Sequence, residues 1–207
     1  MSLFEDGAFF LNEPVSKWLP EFAEPKVNRP LAPHERVRGG ISRGGVEAAR
    51  REITIFDLMT MTSGLPSFMR TPAAFWPTLG AAWEGTGFSP TDTTRFNDPD
   101  GSYEDHVVAL AQTPLHAHPG EVWNYGSDFD LLSLFLMRLT GQDLNSLFRE
   151  RAFDPLGMTG ASFYCPEGAL DRLVTDHAWN EGLQLETRDR PETSEKRGDA
   201  NRKLMSG

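Results

Sequence analysis

Pro119-Gly120-Glu121-Val122-Trp123-Asn124-Tyr125-Gly126-Ser127 is the stretch on which the reading of this chain turns. It reads as a turn, a short extended run, and a Tyr-x-Ser triplet at the mouth of an apolar helix. Ser127 and Asp130 have the spacing of a capping box. Phe129, Leu131, Leu132, Leu134, Phe135, Leu136 and Leu139 carry the helix on to Gly141. A tyrosine fixed just before a helix start can point its hydroxyl into a cleft lined by positive backbone dipoles. A phenol takes up a proton there only if cations beside it lower its pKa from the usual ~10. Without such surroundings a Tyr-x-Ser is a turn tyrosine that packs and hydrogen-bonds locally.

Working outward, the 207 residues fit one domain, with apolar and charged fractions ordinary for a globular protein. A net charge of −10 speaks against a nucleic-acid partner, which needs concentrated Lys and Arg. Only Lys17, Lys26, Lys196 and Lys203 are lysines. The lone Cys165 excludes an intramolecular disulfide, and Ser162-Phe163-Tyr164-Cys165 suggests a buried structural thiol. No apolar run is long enough to span a membrane. No signal peptide opens the chain, so a natural start at Met1 would imply a cytoplasmic protein.

Leu3, Phe4, Phe9 and Phe10 around Gly7 read as the end of a helix. Asn12 to Val15 is a turn, and the short apolar run Val15 to Leu19 is closed by Pro20. Residues 24–52, rich in Pro, Gly and Arg, read as an excursion with little regular structure. Thr54-Ile55-Phe56-Asp57 is a capping box opening a helix from Ile55 to Thr62 that Ser63-Gly64 ends. Residues 66–101 read as a long ordered loop, of the kind that walls a substrate pocket. Further helices are expected from Ser102 to Pro114 and from Asp143 to Phe153, and a short strand over Ala161 to Cys165. From Glu186 the chain turns polar, and no sheet is visible that would close the core.

Several other chemistries fail on their motifs. His116-Ala117-His118 could begin a metal site, but no third ligand follows at zinc spacing, so these read as loop histidines and no metal or cofactor is expected. His34, His106 and His177 are isolated. There is no G-x-G-x-x-G or P-loop. Ser63 lies at a helix C-terminus, where the negative dipole end opposes an alkoxide, and reads as a C-cap.

Four ordered blocks together carry a resemblance. Leu3-Phe4-Glu5-Asp6-Gly7 leads into Leu11-Asn12-Glu13-Pro14-Val15-Ser16-Lys17-Trp18-Leu19-Pro20-Glu21-Phe22. Ile53-Thr54-Ile55-Phe56-Asp57-Leu58-Met59-Thr60-Met61-Thr62-Ser63-Gly64-Leu65-Pro66 follows, with Met61 where the family has His. Then come Pro119-Gly120 through Tyr125-Gly126-Ser127, and Phe153-Asp154-Pro155-Leu156-Gly157-Met158-Thr159. These are similar to segments of the β-lactamase-related serine hydrolases: class C β-lactamases, D-alanyl-D-alanine carboxypeptidases and family VIII esterases. The resemblance implies an α+β, β-lactamase/transpeptidase-like fold, of which this chain covers mainly the helical lobe and little of the antiparallel sheet. It implies acyl transfer on a small-molecule ester or amide, through an acyl-enzyme and with no cofactor. Tyr125 takes the role of proton-transfer base, Ser127 that of the polar third position, and Gly126 allows a tight backbone beside the substrate.

The departure from the family is as informative. Its nucleophile and lysine come from an S-x-x-K, yet Ser16, Ser63, Ser67, Ser127 and Ser133 all lack Lys three positions on. After the triplet no K-T-G or H-x-G strand motif occurs either. Alignment with the family places the missing serine roughly ten to a dozen residues before Met1. Leu204-Met205-Ser206-Gly207 resembles the start of its glycine-rich segment. The expectation is therefore a fragment: residues 1–185 a partial domain, and residues 186–207 a polar connection to a sheet region beyond. Such a chain would be inactive alone. The alternative is a degenerate, non-catalytic homologue that binds a peptide, an acyl ligand or a protein partner in the old cleft.

Overall fold

In the computed structural model, which describes residues 1–28, 46–66, 103–165, 167–180 and 182–190, helix α1 (Ser2–Glu5) ends as its sequence requires. Gly7 takes φ +74°, its amide reaching Phe4 O while the Ala8 amide reaches Leu3 O, both at 2.9 Å. That is the Schellman stop. Short 3₁₀ turns follow at Val15–Lys17 and Pro20–Phe22. The long loop expected over residues 66–101, beyond Pro66, and the C-terminal stretch from 191 lie outside the described residues.

The described residues fall into two compact units, one running up to Thr140 and the other beginning at Gly141. In the first unit the ends of the Pro/Gly-rich excursion are not irregular. Strand β1 (Lys26–Asn28) pairs antiparallel with β2 (Val46–Ala48), Val27 opposite Glu47. β1 also meets the residues ahead of the tyrosine loop, with Asn28 N bonded to Leu115 O and Leu115 N to Lys26 O. The pairing was illegible because its partners lie far apart in a chain of poor strand formers.

Helix α2 (Ile55–Thr60) opens on the expected box: Thr54 Oγ1 accepts from the Asp57 amide, and the Asp57 carboxylate accepts from the Thr54 amide. It closes two residues earlier than expected, because Met61 adopts the left-handed conformation at φ 55°, ψ 43°. Helix α3 (Tyr103–Ala109) runs into a 3₁₀ turn at Leu110–Gln112, ahead of Pro114. Helix α4 (Asp128–Thr140) lays Leu131, Leu134 and Phe135 into the core, beside Val15, Leu19, Ile53, Ile55, Leu58 and Leu110. The Phe135 ring stands edge-on to Phe9 at 5.2 Å and to Trp18 at 4.9 Å. Arg138, in the last turn of α4, bonds Glu21, Glu104 and the Trp18 carbonyl, tying three segments to the helix.

In the second unit Asp143 caps α5 (Leu144–Phe148), accepting from the Ser146 amide, and a π turn over Arg149–Phe153 follows. The strand expected over Ala161 to Cys165 is not formed. Buried Asn145 accepts from Ser162 Oγ and the Phe163 amide, holding that segment in bends, while Phe163 stacks against Phe148 and Phe153. Cys165 is half-buried rather than sealed in a core. Strands do form further on: β3 (Asp176–Trp179) pairs antiparallel with β4 (Leu185–Asp189). Leu183 turns the hairpin at φ +56°, with Asn180 Oδ1 accepting from the Gln184 amide. Among the described residues no helix is long and apolar enough to cross a membrane.

Candidate functional site

The second and third sequence blocks meet in space. Six residues after α2, Met61 to Pro66, form a seat on which the tyrosine loop is stitched by its backbone. His116 N reaches Gly64 O and Gly120 N reaches Thr62 O, both at 2.8 Å. Asn124 N reaches Met61 O at 2.9 Å and Ser127 N reaches Pro66 O at 3.1 Å. Side chains add two more bonds: Asn124 Nδ2 donates to Leu65 O at 2.9 Å, and Ser127 Oγ donates to Pro66 O at 3.1 Å. The left-handed Met61 turns the chain off the helix axis and aims these carbonyls at the loop. Ser63 is therefore not the C-cap. It is fully buried, and its Oγ accepts from the Leu65 amide.

Tyr125 is 52% exposed whereas Ser127 is 3% exposed. The backbone on either side of Tyr125 is pinned, at Asn124 and at Ser127, while the residue itself stays half-exposed. Ser127 instead turns its hydroxyl inward to Pro66. Gly126 lies so close to the seat that a Cβ there would stand 2.4 Å from Leu65 O and 2.7 Å from Asp128 Oδ2. Its place is set by close approach of two backbones.

Behind the loop lies a charged cluster that sequence reasoning did not find. Arg51 clamps Asp57 through both guanidinium arms, Nη1 to Oδ2 at 2.5 Å and Nη2 to Oδ1 at 2.8 Å. Burial pushes the Asp57 carboxyl up, but Arg51 and Thr54 outweigh it and hold it below the usual value. The same guanidinium packs under Gly120, where a Cβ would meet Nη2 at 2.4 Å. His118 lies in the loop as expected, and is buried too. Its Nδ1 accepts from the Arg50 amide, and its Nε2 lies 3.3 Å from Glu47 Oε1. Burial lowers the pKa of neighbouring His116. Among the described residues no His, Cys, Asp or Glu cluster could hold a metal ion.

Asp128, first residue of α4, is 1% exposed. Burial chiefly, and the nearby Asp57 charge, push its carboxyl up to about 7, while the Ser63 hydroxyl and amide and its own amide pull the other way. Those donors offset the burial without closing a hydrogen bond on either carboxylate oxygen. Nothing in the sequence sets Asp128 apart from other acidic residues at a helix start. Only the packing of the loop against its seat revealed the burial.

The Beta-lactamase family model matches residues 1–201. The chain belongs to the β-lactamase family. An uncharacterised protein of Mycobacterium tuberculosis is 30% identical over 189 residues, covering 89% of this chain and 40% of that protein. Esterase EstB of Burkholderia gladioli is 28% identical, covering 81% of this chain and 35% of the esterase. Among solved structures, simvastatin synthase (LovD) of Aspergillus terreus superposes with a TM-score of 0.64 at 23% identity, covering 91% of this chain and 42% of the synthase. The fold is thus β-lactamase/transpeptidase-like. Helices and two small antiparallel sheets make up the described part of it. The chain spans 25% to 40% of the length of the curated relatives it matches.

Proposed function

We propose that this chain is the tyrosine-bearing portion of a serine hydrolase that cleaves a small-molecule ester or amide through an acyl-enzyme. Tyr125 is its proton-transfer base. As the serine oxygen adds to the carbonyl, the phenolate takes the hydroxyl proton. It then returns that proton to the departing alcohol or amine, and water repeats the sequence on the acyl-enzyme. Ser127 and Gly126 shape the loop that carries the base, Ser127 through its bond to Pro66 and Gly126 through the close approach it allows. The observation that carries this reading is the half-exposed Tyr125, on backbone pinned on both sides, in a chain of the β-lactamase family. The esterase among the relatives favours ester substrates as the first to try.

The test starts from the genomic reading frame around this chain. A frame that supplies a Ser-x-x-Lys upstream is expressed whole and assayed on p-nitrophenyl butyrate and nitrocefin. Tyr125→Phe should lower kcat by about 10²–10⁴-fold, the usual worth of a general base, with KM little changed. A Phe variant as active as the parent would remove Tyr125 from the mechanism. Stop codons on both sides of the frame would favour a non-catalytic homologue.

A further inference from the structure

The carboxyl of Asp128 has no use in the chemistry proposed above, yet it sits in the joint that holds the tyrosine loop. Both of its oxygens are buried without a hydrogen-bond partner, and Oδ2 packs against Gly126, the middle residue of the loop's triplet. Around it, among the described residues, stand the Ser63 hydroxyl and amide from the seat, the Asp57 carboxylate from α2, and its own amide at the start of α4. None of these is a cation, and the Arg51 guanidinium is committed to Asp57. A neutral carboxylic acid tolerates such a place; a carboxylate there is a buried charge with nothing to balance it.

We infer that Asp128 is a pH-dependent positioning residue of the tyrosine loop: protonated, it lets residues 124–127 seat on residues 61–66, and ionised, it opens that seat to water. The inference concerns how the loop is held and stands apart from the proton-transfer role of Tyr125. Its direction follows from linkage. In the seated form the group keeps its proton up to about pH 7, whereas once hydrated it loses it in the ordinary carboxylate range near ~4. The contribution to seating is complete below that ordinary range, declines as pH rises through the window between the two values, and is level above it. Within the window the seating constant falls by about tenfold per pH unit.

Hydrogen exchange of the 207-residue chain reads this directly. The amides of Asn124 and Ser127 bond across the joint, to Met61 O and Pro66 O, while that of Phe135 lies inside α4. After correction for base catalysis, protection at Asn124 and Ser127 should drop by tenfold or more between pH 5 and pH 8, with Phe135 holding its protection. In Asp128→Asn the two loop amides should stay protected across the range. A drop of the same size in the variant, or no drop in the parent, overturns the inference. Should the variant fail to fold, the side-chain ¹³C titration of Asp128 in the parent decides. A midpoint near neutrality supports the inference, and a midpoint in the ordinary carboxylate range sinks it.

Discussion

Gly126 has no room for even a methyl group: a Cβ would lie 2.4 Å from a backbone oxygen, that of Leu65, which cannot rotate away. Gly126→Ala should therefore lift the tyrosine loop from its seat and lower stability by about 1–3 kcal/mol, as overpacked sites do. Urea denaturation checks this, and an unchanged midpoint would mean that the loop yields without cost. Arg51 makes a second residue-scale case. Truncating it to Ala leaves the nearly fully buried Asp57 with only neutral partners, the Thr54 amide and the hydroxyls of Thr54 and Thr62. The loss should be about 1–3 kcal/mol, less than for a fully buried pair, because Arg51 keeps 44% of its side chain in water. Its pH dependence has a fixed sign. The Asp57 pKa is lowered in the folded state, so its contribution is full above the unfolded value and lost as pH falls through the folded one. Parent and Arg51→Ala unfolding curves should differ most at neutral pH and converge in acid. A gap that widens in acid would contradict the assignment.

Elements were legible where their signals are local. The capping box at Thr54, the stop at Gly7 and the cap at Asp143 each need only a few adjacent residues, and each is present. Thr54→Ala should cost about 1 kcal/mol, the usual worth of an N-cap, in thermal or urea unfolding. The apolar face of α4 was equally plain, and its packing makes Phe135 its most demanding residue, edge-on to both Phe9 and Trp18. Phe135→Ala should cost about 3–5 kcal/mol, against well under 1 kcal/mol for exposed Phe129→Ala on the same helix. Equal losses at the two positions would mean that the core is not where the structure puts it. Strands were the weak point. Ala161 to Cys165 has strand composition but is held in bends by Asn145. The polar residues of β4 pair with β3 through backbone bonds that composition does not announce.

For the molecule as a whole, the proposed chemistry needs a nucleophile, a lysine and a base, and these 207 residues contain no Ser-x-x-Lys. The purified chain should therefore hydrolyse p-nitrophenyl butyrate and nitrocefin no faster than buffer. Turnover that Tyr125→Phe abolishes would show that a nucleophile outside the family pattern serves this site. The sequence by itself determined the family, carries the Tyr125-Gly126-Ser127 string, and set the capping box at Thr54 and the stop at Gly7. All of these rest on contacts between near neighbours in the chain, or on motifs that survive as strings. Tertiary structure alone decided that Met61 to Pro66 and the tyrosine loop form one joint. It alone decided that Lys26–Asn28 pairs with Val46–Ala48 and that Asp128 lies buried behind the triplet. Burial and long-range pairing depend on what the rest of the chain brings to a residue, and no local pattern of side chains encodes that.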